Sequence, residues 1–422
     1  MTTWSPGQKS SRSHPPSPEG RRATQDGKVT VTDKVDYGLI SADSHVFEPA
    51  DLFEKRLPSH LRDRAPQVRD SNGGSAWFVE DVVPVPFPES AVTGSGYRVR
   101  DLSNPDRPVT VDEIMPALYD PAERIKAQDA DSVDAEVLYA SPHLWDAIKQ
   151  VDDTELRLEC ARAYNDWKSE FCSHDPSRLI GIGKIPSSSI EDARKELVRI
   201  VEDPVLRGAV IDAWPSGSKG PADAALDPIW DVANEAGIPI SLHYGLGDAR
   251  SAPTTAITPG LKPPVAMALL PLVASGLFDR FPNLRMVVAH ADAGWSFHWM
   301  EFLDNTYLRQ RHLERYKLGR EDSYPSEYMR RHFWFTIQQD RTTVKHRDLI
   351  GAEHLLWASH FPLDAANWPD DRQQAMRVSE ELPSEDKKAL LAGNTARLYR
   401  LPGYEDGIQP TPFESVLRLV HI

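Results

Sequence analysis

Cysteine is nearly absent from this chain: two in 422 residues, Cys160 and Cys172. Their spacing on one predicted helix fits no metal motif, and so small a supply excludes a disulfide framework and points to a reducing, cytoplasmic setting. A long apolar run is also missing, so no segment is expected to span a bilayer. Basic charge is scarce: 48 Lys and Arg stand against 63 acidic side chains, a net charge of −15. That balance argues against nucleic acid or an anionic membrane as partner. There is no Gly-x-Ser-x-Gly elbow, and Gly181-Ile182-Gly183 lacks the third glycine and helix start of a dinucleotide loop. No apolar stretch follows Arg21-Arg22, so an export signal is not expected.

What the chain does have is a regular order. Residues 1–36, rich in Ser, Pro, Arg and Gly, read as a disordered tail. Beyond them, short apolar runs alternate with amphipathic helical stretches. The runs are Leu39–Asp43, Ala135–Ala140, Leu179–Ile185, Leu206–Ile211, Ile238–His243, Leu284–His290, Phe333–Ile337 and Leu355–Ser359. They are almost continuously apolar, as strands buried on both faces must be. The expectation is an α/β fold, a (β/α)8 TIM barrel over residues 37–402, with 403–422 as a C-terminal extension. Residues 67–116 break the alternation with Gly, Pro and β-formers, and read as an inserted lid between the first two barrel strands.

Barrels of this kind place chemistry at the C-terminal ends of their strands. Four strand ends carry histidine, namely His45, His243, His290 and His360, and carboxylates stand close by at Asp43, Glu48, Asp292 and Asp364. Asp43 and His45 are two apart, so an extended strand points both to one face. These eight side chains are the expected metal ligands. His243, His290 and Asp292 are the expected catalytic groups. Imidazole mixed with carboxylate suits Zn, Mn or Fe, and the surplus over three protein ligands suggests two ions. His143, Lys184 and Asp340 follow other strands and are candidates for contacting substrate or orienting ligands. Tyr244, Trp214, Trp295 and Trp368 could line an apolar pocket.

Ser41-Ala42-Asp43-Ser44-His45, Leu242-His243-Tyr244-Gly245, Phe278-Asp279-Arg280-Phe281-Pro282-Asn283-Leu284, Leu355-Leu356-Trp357-Ala358-Ser359 and Ala392-Gly393-Asn394-Thr395-Ala396-Arg397-Leu398-Tyr399 resemble the amidohydrolase superfamily. The branch is that of amidohydrolase-related hydrolases and aminocarboxymuconate-semialdehyde-type decarboxylases. The family's strand-eight Asp is replaced here by His360, its first-strand His-x-His by Asp43-Ser44-His45, and its strand-four lysine is absent. Those departures are similar to an offshoot, the TIM-barrel nonheme diiron monooxygenase of platensimycin and platencin biosynthesis. The resemblance implies two Fe ions, an external electron donor and O2-dependent hydroxylation of an apolar, carboxylated or CoA-linked secondary metabolite. The alternative is a Zn- or Mn-dependent hydrolase or decarboxylase using a metal-bound water. A homo-oligomer acting on a small molecule is expected in either case.

Overall fold

Each of the apolar runs becomes a strand in the computed structural model, which describes residues 37–98, 107–243, 263–313, 316–319 and 323–409. The first barrel strand is β1 (Ile40–His45). A small antiparallel sheet follows, made of β2 (Gln67–Ser71), β3 (Gly74–Phe78) and β4 (Val85–Pro86). The barrel resumes with β5 (Ala135–Tyr139), β6 (Leu179–Lys184), β7 (Leu206–Ile211), β8 (Pro239–His243), β9 (Arg285–Ala289), β10 (Phe333–Ile337) and β11 (Leu355–Trp357). Its eight strands pair in parallel in the order of the sequence. The last meets the first through His360 N–H to Asp43 O at 2.9 Å and His45 N–H to Phe361 O at 2.7 Å. The fold is therefore the (β/α)8 barrel, and the seam where it closes is built from the residues of greatest chemical interest.

That seam has a local cause. The β1–β5 register slips between Ser41 and Ser44, a bulge that re-aims side chains at a strand end. The hydroxyls of Ser41, Ser44 and Ser359 lie 2.9–3.1 Å apart there, and Ser359 N–H donates to Ser41 Oγ at 2.9 Å. Small hydroxyls satisfy one another where large apolar groups would hold the strands apart.

Helices fill the crossovers. Asp120 caps Pro121–Asp131 by accepting from Ala122 and Glu123 N–H, and Asp153 caps Thr154–Cys172 in the same way. Ser296–Gln310, Pro325–His332 and Asp371–Val378 are also helical. The sequence reading does not single these out, because charge and aromatics blur their apolar stripe.

The inserted segment folds back on the barrel rim. Gly96 N–H donates to Asp364 O at 3.2 Å and Ser95 Oγ to Ala366 O at 2.5 Å, both in the loop after β11. Gly94 sits at φ +74° against Trp368, where a Cβ would approach the indole to 2.7 Å. The tail 1–36, residues 99–106 of the insert and residues 410–422 lie outside the described residues. Among the described residues no helix is long and apolar enough to cross a membrane.

Candidate metal centre

The C-terminal mouth brings one carboxylate and several imidazoles together. Asp43 and His45 come from β1, His243 ends β8, and His290 and His360 follow β9 and β11. One ligand atom from each of Asp43, His45, His243 and His290 lies within 4.8 Å of the others. Asp43 Oδ1 is 3.2 Å from His45 Nε2, and its Oδ2 is 3.4 Å from His360 Nδ1 and 3.7 Å from His290 Nδ1. The rings of His290 and His360 are 4.0 Å apart.

The donors are aimed and kept ready. His45 Nδ1 lies 2.8 Å from Ala140 O, so its N–H donates there and Nε2 is the ring nitrogen that faces Asp43. Burial pushes the His243 imidazole down to about 3, which keeps it neutral, as a ligand must be. Burial pushes the Asp43 carboxyl up, but His360 and His45 beside it outweigh that and hold it well below the usual range. Both Asp43 oxygens, His45 Nε2 and His360 Nδ1 are buried without a hydrogen-bond partner. Such atoms are costly to leave unmet, and a divalent cation would satisfy all of them at once. One carboxylate with several imidazoles is a donor set for a divalent metal ion.

Backbone strain accumulates at the same rim. His290, Asp292 and His360 have φ of +59°, +49° and +61°, a left-handed conformation that costs a non-glycine residue about 1–3 kcal/mol. Neighbours hold each one there. Thr336 Oγ1 accepts from His290 N–H, Asp292 Oδ1 accepts from Gln338 N–H, and Asp43 O accepts from His360 N–H. Gln338 Nε2 also donates to Ser359 O and Ala365 O, and Asp340 accepts from Ala293 and Gly294 N–H. Asp340 thus braces the loop that carries His290.

Of the eight expected ligands, five converge: Asp43, His45, His243, His290 and His360. Glu48 turns away, taking Ser141 Oγ at 2.5 Å and Trp145 Nε1 at 2.8 Å. Asp292 is committed to Gln338 N–H, and Asp364 is exposed. Among the other candidates, His143 is exposed, Trp295 Nε1 donates to Ala291 O, Trp368 Nε1 donates to Ala127 O, and Tyr244 lies outside the described residues. Lys184 forms a buried ion pair with Asp212. Asp212 was not among the sequence candidates, although it too stands at a strand end, directly after β7.

A family model described as "Amidohydrolase" matches residues 116–401, more than half of the chain. The chain belongs to the amidohydrolase family. It is 24% identical over 295 residues to the gamma-resorcylate decarboxylase of Rhizobium radiobacter, covering 66% of this chain and 87% of that protein. An amidohydrolase from Mycobacterium avium subsp. paratuberculosis shares the fold with a TM-score of 0.68 at 16% identity, over 86% of this chain and all of that one. So does the 5-carboxyvanillate decarboxylase of Novosphingobium aromaticivorans, whose structure holds manganese and 4-hydroxy-3-methoxy-5-nitrobenzoic acid (TM-score 0.61, 18% identity, 89% of this chain and 100% of that one).

These relatives correct the expected oxidoreductase. The resemblance to a diiron, O2-dependent monooxygenase of secondary metabolism, together with the ligand surplus, implies an oxidoreductase; the curated relatives that the chain matches are decarboxylases instead. Among the described residues the surplus shrinks in three dimensions, because Asp43 is the carboxylate that joins the cluster while Glu48 and Asp292 accept bonds from other groups and Asp364 is exposed. His360 stands after the last barrel strand where the family's Asp is expected, and its Nδ1 lies 3.4 Å from Asp43 Oδ2.

Proposed function

We propose that this chain is a Zn- or Mn-dependent decarboxylase of a small aromatic carboxylate, a lyase needing neither O2 nor an electron donor. The observation that carries it is the buried cluster of Asp43 with His45, His243, His290 and His360, whose carboxylate and imidazole atoms face one another across the barrel mouth. Relatives that decarboxylate ring-borne carboxylates support the substrate class.

Asp43, His45 and His243 would hold the ion, with His290 and His360 beside it. A bound divalent cation supplies charge neutralisation for the substrate carboxylate and an adjacent oxygen. In the reaction the bond from ring carbon to carboxyl carbon breaks and CO2 leaves. The electron pair stays on the ring carbon, which takes up a proton. We assign delivery of that proton to His290, the most exposed imidazole of the cluster, with its side chain 11% exposed. Asp292 then serves to fix the loop through Gln338.

The experiment is to load metal-free protein with Mn, Zn or Fe and offer it hydroxybenzoates in buffered D2O, following CO2, O2 and deuterium on the product ring. CO2 release with one deuterium incorporated and no O2 consumed is expected with Mn or Zn. O2 uptake supported by Fe alone, with no CO2 released, would sink the proposal.

A further inference from the structure

A second charged cluster shares the mouth with the metal ligands. Lys184 ends β6 and Asp212 follows β7, and their side chains form a buried ion pair. Both line a small cleft with Tyr139, Ser141, Trp145 and His243. The cleft has room for about 20 Å³, roughly the space one water needs by this measure.

Lys184 is fixed from every side. Asn165 clamps its backbone, accepting from Lys184 N–H at 2.7 Å and donating to Lys184 O at 3.0 Å. Its ammonium lies 4.3 Å from the centre of the Trp145 ring, a cation–π contact. Trp145 is fixed in turn by Glu48, whose Oε1 accepts from the indole N–H. Glu48, expected to be a ligand, is thereby a positioning residue for Lys184. A surface ion pair would not need so many restraints; a group that must meet a ligand in one geometry does.

The pair carries no net charge, yet it presents ammonium donors and a carboxylate acceptor side by side. A second substrate carboxylate would meet the charge of Asp212. A hydroxyl accepts from Lys184 and donates to Asp212, and it fits a space of one water. We infer that the Lys184–Asp212 pair is the specificity determinant of this site, selecting a substrate that carries a hydroxyl at the ring position facing the cleft. This rests on the aromatic-carboxylate reading and adds to it which substituent is read and by which residues.

The test compares binding of 2-hydroxybenzoate with that of its 2,3-, 2,4-, 2,5- and 2,6-dihydroxy analogues to Mn-loaded protein. Calorimetry measures affinity, and KM and kcat are recorded separately. One dihydroxy isomer is expected to bind the wild type about tenfold more tightly than 2-hydroxybenzoate, on the order of one well-made hydrogen bond to a charged group. That advantage should vanish in Lys184→Met, through KM rather than kcat, with manganese content and 2-hydroxybenzoate affinity unchanged. Because Lys184→Met leaves Asp212 buried without its partner, Lys184→Met/Asp212→Asn is measured alongside, with the same result expected. An isomer preference that survives in the double variant, or no preference in a wild type that binds these acids, overturns the inference alone. A manganese-loaded wild type that binds none of them overturns the function reading with it.

Discussion

Two buried charged clusters stand back to back on β1 and β5, and they are finished in opposite ways. In the first, Arg124 donates to both oxygens of Glu136 at 2.6 and 3.0 Å, Gln128 adds a third bond at 2.8 Å, and Arg124 Nη1 caps His45 O at 2.8 Å. Burial pushes the Glu136 carboxyl up, but Arg124 with Gln128 holds it down, so it stays charged. In the second, Asp43 is as deeply buried, yet both of its oxygens lack a hydrogen-bond partner. In the first cluster both oxygens of the buried carboxylate are met by protein donors. In the second, no donor among the described residues meets the carboxylate. A buried polar group left unmet costs stability, and strained backbone beside it costs more, so the difference separates a structural cluster from a functional one.

The comparison can be broken from either side. The largest effect is expected from Asp43→Asn, which removes the carboxylate of the Asp43, His45, His243 and His290 cluster. Turnover should fall on the order of 10³-fold, since the ion contributes several kcal/mol of charge stabilisation. Bound metal, read by elemental analysis, should fall with it. Thermal unfolding of the metal-free variant should be only modestly lower than that of metal-free wild type at neutral pH, by no more than the contribution of the two imidazoles that hold the carboxyl below its usual range. A large drop in Tm would mean that Asp43 is structural.

Arg124→Met should do the reverse. It strands Glu136 in the core and should cost about 3–5 kcal/mol in chemical denaturation. Metal bound per folded molecule should hold near the wild-type level.

The smallest effect sharpens the contrast with a third cluster. Asp371 N–H donates to Asp131 Oδ1 at 2.9 Å where the loop after β11 meets Pro121–Asp131. Burial and the neighbouring Asp131 push the Asp371 carboxyl up to about 9. Its folded value is raised, so its contribution is complete below the unfolded value near 4 and is lost as pH climbs toward 9. Asp371→Asn should flatten that decline and raise Tm by about 2 °C or more at pH 8, with little change at pH 4. An equal shift at both pH values would show that the proton is not held there.

Much of the architecture was legible in the sequence. Each expected strand is present to within a few residues, because a strand buried on both faces leaves an unbroken apolar run. The cap at Asp120, an Asp directly before Pro121-Ala122-Glu123, was legible for a similarly local reason. The histidines at the strand ends were legible because the barrel gives all strand ends one address. What could not be read was which neighbours join them. Glu48 follows β1 as closely as any ligand, yet its oxygens go to Ser141 and Trp145, 93 and 97 residues along the chain. Asp292 is two residues from His290 and is spent on the backbone of Gln338. Neither choice leaves a trace in spacing, and counting such residues as ligands is what suggested two irons.

By itself, then, the chain determined a parallel barrel with an imidazole-rich mouth, since burial and strand order act through local pattern. Only the tertiary structure decided that Asp43 is the carboxylate brought among the imidazoles, that Glu48 supports Trp145, and that Lys184 finds Asp212. Hydrogen-bond and ion-pair partners are chosen by distance in space, and the closed barrel is what makes distant strand ends neighbours.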